Sequence, residues 1–172
     1  MFVNCPASVT HCPRRLAAIL LALIGIDPKK KGRVYRLENR QQIGLALRQK
    51  YFGTEDACGA LWEVVIACQG QVFHTASGLP FSYTVRRKRD GSYSGELLIT
   101  RKEGSKTLTR SSVELAFQRV CRDTAADGAP PFYKGPKAIG QIFGISYVYS
   151  LFWAWGLITV PEPVARKLEG GA

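Results

Sequence analysis

Acidic side chains are scarce in this chain. Its 172 residues include 13 Asp and Glu against 24 Lys and Arg, a formal net charge of +11. Histidine occurs only twice, at His11 and His74. With so few histidines and no nucleophile-elbow or paired-carboxylate pattern, nothing marks a catalytic centre, and no enzymatic activity is expected. A Gly-Lys-Ser/Thr triplet is absent, so no P-loop is expected. Long apolar runs are missing too. The apolar stretch Leu16 to Ile26, LAAILLALIGI, falls well short of the roughly 20 residues that cross a bilayer. It follows Arg14 and Arg15 as an export signal would, but no small-residue cleavage site comes after it, and a short buried or interfacial helix is expected instead. No membrane association is expected.

Cysteine is present in an odd number: Cys5, Cys12, Cys58, Cys68 and Cys121. This does not read as a disulfide framework, and free thiols in a reducing, cytoplasmic setting are the simplest reading. Cys5, His11 and Cys12 gather zinc-type donors in NCPASVTHCP, but six residues separate the two cysteines. Zinc knuckles leave about two to four between them and supply a second pair, which is missing here. No metal and no cofactor are expected.

What is present is an ordinary apolar fraction of 46%, enough for a packed core, and a patterned surplus of positive charge. Residues 27–50 carry eight basic and two acidic side chains, a net of +6. Residues 51–80 carry no basic and three acidic ones. Residues 81–122 carry ten basic and four acidic, again +6. Two basic blocks therefore flank an apolar, mildly acidic segment, as expected of a core element between surfaces that face phosphates.

Helical spacing runs from Asn39 to Tyr51, with Ile43, Leu45, Ala46 and Leu47 as its apolar set. After Gly53, Thr54 is placed to cap a second helix, with Glu55 and Asp56 in its first turn. Leu61, Val64, Val65 and Cys68 share one side of that helix and make it the core one. Strand alternation follows: Phe81, Tyr83 and Val85 interleave with Ser82, Thr84 and Arg86. Asp90-Gly91 marks a hairpin turn, and Glu96 to Arg101 is the return strand. A turn at Glu103 to Ser105 leads to a helix capped by Thr109 or Ser111 and reaching about Arg122. Thr124 to Pro136 is a loop.

Lys137 to Ser146, KAIGQIFGIS, resembles the first helix and turn of a helix-turn-helix unit. Gly140 supplies a close helix contact, Gly144 a left-handed turn residue, and Ser146 a cap for the second helix. Trp155-Gly156-Leu157-Ile158 resembles the helix-to-wing passage of winged-helix proteins. The second helix, Tyr147 to Trp153, offers none of the Arg, Lys, Asn or Gln side chains that read base edges. It is open to two readings, a buried structural helix or a docking element in which Tyr147, Tyr149, Trp153 and Trp155 anchor a protein partner.

The basic hairpin is the leading candidate for function. Arg86, Arg87, Lys88 and Arg89 enter its turn; Arg101, Lys102 and Lys106 leave the return strand; Arg110 opens the next helix. Cations on adjacent strands repel unless anions visit, and Arg grips phosphate bidentately. Tyr83 and Tyr93 are placed to stack on bases. A solvated hairpin whose charges block edge-to-edge pairing is the alternative. Lys29, Lys30, Lys31, Arg33, Arg36 and Arg40 would extend the interface as a basic arm, with Lys134 and Lys137 near the last helical unit.

The expected fold is α+β, a mostly helical single domain with a basic antiparallel β-hairpin and a helix-turn-helix-like C-terminal helical hairpin. Its parts are an N-terminal segment 1–26, a basic domain 27–160 and a polar tail 161–172. The expected function is non-enzymatic contact with the phosphate backbone of DNA or RNA, as a regulatory or accessory factor. The alternative is a small inhibitor or accessory subunit, of phage or mobile-element type, that binds a nucleic-acid-processing enzyme or complex.

Overall fold

The computed structural model describes residues 37–170, without the side chains of 37–41, 50 and 51. The expectations for Cys5, His11, Cys12, the Leu16 to Ile26 stretch, Arg33 and Arg36 lie outside the described residues. Arg40 falls on a described helix, but its side chain does not. No described helix is long and apolar enough to cross a membrane.

Among the described residues the architecture is α+β, with five α-helices and a four-stranded antiparallel sheet in the order β1-β2-β3-β4. Helix α1 (Leu37–Tyr51) buries Ile43 and Leu47. Leu45, in the expected apolar set, is on its exposed side. The α1 backbone at Gly44 meets the backbone of Gly156, and Arg48 Nη1 donates to the Gly156 carbonyl at 2.6 Å. One small residue and one cation thus fasten α1 to the far end of the chain.

Helix α2 (Ala57–Ala67) buries Leu61, Trp62, Val64 and Val65, with Cys68 just past its end. Its N-cap is Asp56 rather than Thr54, so Glu55 precedes the helix. The last carbonyls of a helix lack partners within it. Here the Cys68 N–H donates to Val64, the Tyr83 hydroxyl to Val65 and Gln69 Nε2 to Ile66.

The strands are β1 (Val72–His74), β2 (Pro80–Arg87), β3 (Tyr93–Arg101) and β4 (Gly104–Thr109). Phe81, Tyr83 and Val85 of β2 face the same side as Leu97 and Ile99 of β3 and Leu108 of β4, and all six are buried. The helices cover that side. Between β2 and β3, Lys88 O accepts from Gly91 N at 3.0 Å, so Arg89 and Asp90 are the central residues of the turn. Gly91 alone takes the left-handed conformation there (φ +79°). The expected Asp-Gly hairpin turn is therefore shifted by one residue, with Gly91 in the bulge position.

Helix α3 (Arg110–Asp123) follows β4 directly. Thr109 is its N-cap, accepting from Ser112 N at 3.3 Å. Val113, Ala116, Phe117 and Val120 are buried, while Leu115 is exposed.

The expected first helix of a helix-turn-helix is a single 3-10 turn, Pro136–Ala138. Gly144 does take the left-handed backbone (φ +73°), and it is the N-cap residue of helix α4 (Ile145–Ala154), the position expected of Ser146. A methyl on Gly144 would stand 2.6 Å from Leu108 Cδ1, so this turn is seated directly on β4. Helix α4 carries no charged side chain and buries Ile145 and every residue from Tyr147 to Trp153, as a central core helix does, with Ser146 of its first turn exposed. After it, Thr159 pairs in parallel with Phe132 in a single bridge, which is not a wing hairpin. The expected polar tail contains helix α5 (Glu162–Leu168), and Leu168 is buried.

Candidate nucleic-acid interface

The register divides the expected basic cluster in two. Arg87 pairs with Tyr93 at one end of the sheet, and Arg101 pairs with Gly104 at the other. Eight residue steps along β3 separate them, about 26 Å at strand rise. Arg86, Arg87, Lys88 and Arg89 gather at the β2–β3 turn. Arg110 joins them, because Thr109 lies opposite Glu96 and the Arg110 Cβ packs near Gly95. Arg101, Lys102 and Lys106 gather at the β3–β4 turn instead.

The members of the first group are not equivalent. Arg86 Nη1 is 2.8 Å from Glu96 Oε2 across the strands. Arg87 donates to the Gly91 carbonyl and to the Tyr93 hydroxyl, each at 2.8 Å. Its guanidinium carbon lies 4.3 Å from the Tyr93 ring centroid. Arg87 therefore closes the turn. Arg110 Nε bonds Glu114 Oε1 at 2.6 Å and its guanidinium lies over Trp62. Lys88 and Arg89 are exposed at the tip, and no carboxylate stands within ion-pair distance of either among the described residues. The tip is firm: Asp90 Oδ1 accepts from both Ser92 N and Ser92 Oγ, which holds the Asp90 carboxyl below its ordinary range.

In the second group, Lys102 and Lys106 are exposed and Arg101 half-buried. Lys106 lines a cleft of about 330 Å³ together with Thr75, Leu79, Leu108, Phe143 and Ser146. Lys137 lies on the other side of Phe143 and is exposed, as is Lys134. Phe143 and Leu79 are 66% and 64% exposed, a feature the sequence pattern did not mark.

The aromatic candidates are placed differently from expectation. Tyr147, Tyr149, Trp153 and Trp155 are all buried, so the expected docking face is part of the core. The Tyr149 hydroxyl donates to the Tyr133 carbonyl at 2.9 Å, and burial pushes its pKa to about 12. Tyr83 is fully buried and cannot stack on a base. Tyr93 is half-buried, its ring under Arg87 and its hydroxyl also bonded to Gln69 Nε2. The periodicity that places Phe81 and Val85 in the core places Tyr83 there too, and that signal was in the sequence.

His74 stands against the backbone of Gly170 as a packed residue of β1. No group of three or more His, Cys, Asp or Glu suited to a metal occurs among the described residues. No family model, curated protein or solved structure matches the chain.

Proposed function

We propose that this protein binds nucleic acid without catalysis, contacting the phosphate backbone through the basic β2–β3 hairpin. The observation that carries this reading is the tip of that hairpin. Lys88 and Arg89 stand exposed on a turn held by Arg87 and Asp90, with no carboxylate paired to either. Cations pre-placed on a firm turn lose little freedom when a phosphate arrives, and release of counterions from the nucleic acid favours the complex. A regulatory or accessory role suits a binder of this kind.

Gel-shift titration at low and moderate salt tests the proposal, with DNA and RNA side by side. Affinity is expected to fall steeply as salt rises. The paired reversal Lys88→Glu, Arg89→Glu is expected to weaken binding sharply with the fold intact by circular dichroism. Unchanged affinity in that variant overturns the hairpin as the contact.

A second reading is an inhibitor or accessory subunit of a nucleic-acid-processing enzyme. Burial of the Tyr147 to Trp155 side chains removes its original anchor. The exposed Phe143 and Leu79 beside Lys106 supply another. Weak binding to nucleic acid, together with capture of one such enzyme that Phe143→Ala abolishes, would favour it.

A further inference from the structure

At the β3–β4 end of the sheet, on its helix-covered side, the cleft of about 330 Å³ opens between the strands and the start of α4. Buried Ile99 and Leu108 lie at its base, and exposed Leu79 and Phe143 at its mouth. Lys106 stands opposite Ile99 in the ladder, so its side chain is on this same side of the sheet. A second cleft, of about 420 Å³, adjoins the first across Ile142 and Phe143 and takes in Lys137.

Both sides of the mouth are held. Gly144, in the left-handed conformation, seats the Phe143 turn on Leu108. On the other side, Leu79 N donates to Thr75 Oγ1 at 3.1 Å and Thr75 N donates to the Leu79 carbonyl at 2.9 Å. Apolar side chains carried on closed turns need little further ordering when a partner covers them. Single exposed apolar residues are ordinary on a surface, but two that face one apolar cleft are what a contact site presents.

The charges select the partner. Lys106 and Lys137 are exposed, and neither pairs with a carboxylate among the described residues. Neither Asp nor Glu lines either cleft among those residues. Arginine, whose fork suits phosphate, is absent from both linings as well and gathers at the β2–β3 hairpin instead. Aliphatic walls suit side-chain methyls better than they suit sugar and phosphate. From β2 to β4 is two strand spacings, about 10 Å, the reach of about three extended residues.

We propose that this cleft docks an extended segment of a partner protein in which apolar side chains lie between carboxylates. The apolar side chains fill the space between Leu79 and Phe143. Carboxylates on either side of the Phe143 ring meet Lys106 and Lys137. The site rests on the protein-partner reading above, supplies the chemistry of that partner, and does not involve the hairpin.

Selection from a random library of displayed peptides about eight residues long, enough to span both clefts when extended, tests this on the full chain. Enriched sequences are expected to place Asp or Glu around Leu, Ile or Phe. As synthetic peptides they should bind Phe143→Ala about tenfold more weakly. They should lose their preference for acidic flanks against Lys106→Glu with Lys137→Glu, or against the Gln pair where that reversal unfolds. Binding to Lys88→Glu with Arg89→Glu should be unchanged, which separates the cleft from general attraction to a chain of charge +11. Peptides that need Phe143 but carry neutral or basic flanks overturn the acidic partner and leave the protein-partner reading standing. Peptides indifferent to Phe143, or none selected, overturn the cleft as a docking site and remove the anchor of that reading. Three further outcomes overturn the proposal by giving the cleft another occupant. Displacement of the peptides by oligonucleotides, undiminished in the hairpin variant, gives it to nucleic acid. Self-association that Phe143→Ala abolishes in sedimentation gives it to a second copy. A cross-link from Lys106 to residues 1–36, with no peptide selected, gives it to the chain's own segment.

Discussion

The Tyr83 hydroxyl donates to the Val65 carbonyl at 2.7 Å, tying the middle of β2 to the end of α2. The bond is buried and satisfies a carbonyl that the helix itself leaves open. Tyr83→Phe keeps the ring and strands the carbonyl. We expect a loss of about 1–3 kcal/mol in urea unfolding, with nucleic-acid binding unchanged. Loss of binding without loss of stability would mean that Tyr83 is reachable by ligand after all.

Two glycines make a paired test of packing. A methyl on Gly44 would overlap the Gly156 carbonyl, with both groups on backbone. Gly44→Ala is therefore expected to cost about 1–3 kcal/mol. Gly59, inside α2, has nothing within 4 Å of the same methyl. Gly59→Ala is expected to stabilise by about 0.5–1 kcal/mol, since alanine favours a helix and restricts the unfolded chain. Thermal unfolding of the two variants should shift in opposite directions; shifts of the same sign would refute this account of α1 packing.

Acid should act through Asp123. Partial burial works against its ionisation, but hydrogen bonds from Tyr133 at 2.7 Å and Arg119 at 2.8 Å outweigh it and hold the carboxyl below its ordinary value. A depressed carboxylate contributes stability above its unfolded pKa and loses it as pH falls through the folded value. That window opens below about 4. The Asp123→Asn variant should show a shallower decline of melting temperature between pH 5 and 2, in steps of about one unit. A decline identical to the parent's would remove Asp123 from the account.

The thiols of α2 and α3 should be sluggish. Burial, aided by the proximity of Cys58, pushes the Cys121 thiol up to about 12. Burial and the Glu114 carboxylate raise Cys58. Since the thiolate is the reactive form, alkylation of both at about pH 8 should be much slower in the folded protein than in urea, read by peptide mass mapping. Equal rates in the two states would contradict the packing of α2 on α3.

Much of this fold was legible where pattern and packing agree. The alternation from Phe81 to Val85 marks β2, the stripe from Leu61 to Cys68 marks the core helix, and Thr109 marks the start of α3. Strand β4 was not legible. Its sequence, GSKTLT, holds one apolar residue, and only the ladder to β3 makes it a strand. That omission carried over to the interface, because β4 is what carries the chain back to set Arg110 at the Arg89 end while Lys106 stays at the other. The helix-turn-helix likeness failed for a local reason. Pro136 and Gly140 bracket the segment, and its helical start closes after one 3-10 turn. The aromatic residues of α4 satisfied both core and docking expectations, and residue type alone does not separate the two. The absence of any charged side chain from that helix was the better guide.

Thr109 is the last residue of β4 and the cap of α3, with no linker between them. Peeling the strand from β3 therefore strips the helix of its cap, and unwinding the first turn of α3 releases the strand's end. The two elements share a single opening event. Their slow amide protons should exchange as one population, and an anion held at Arg110 or at the hairpin tip would slow that exchange along both.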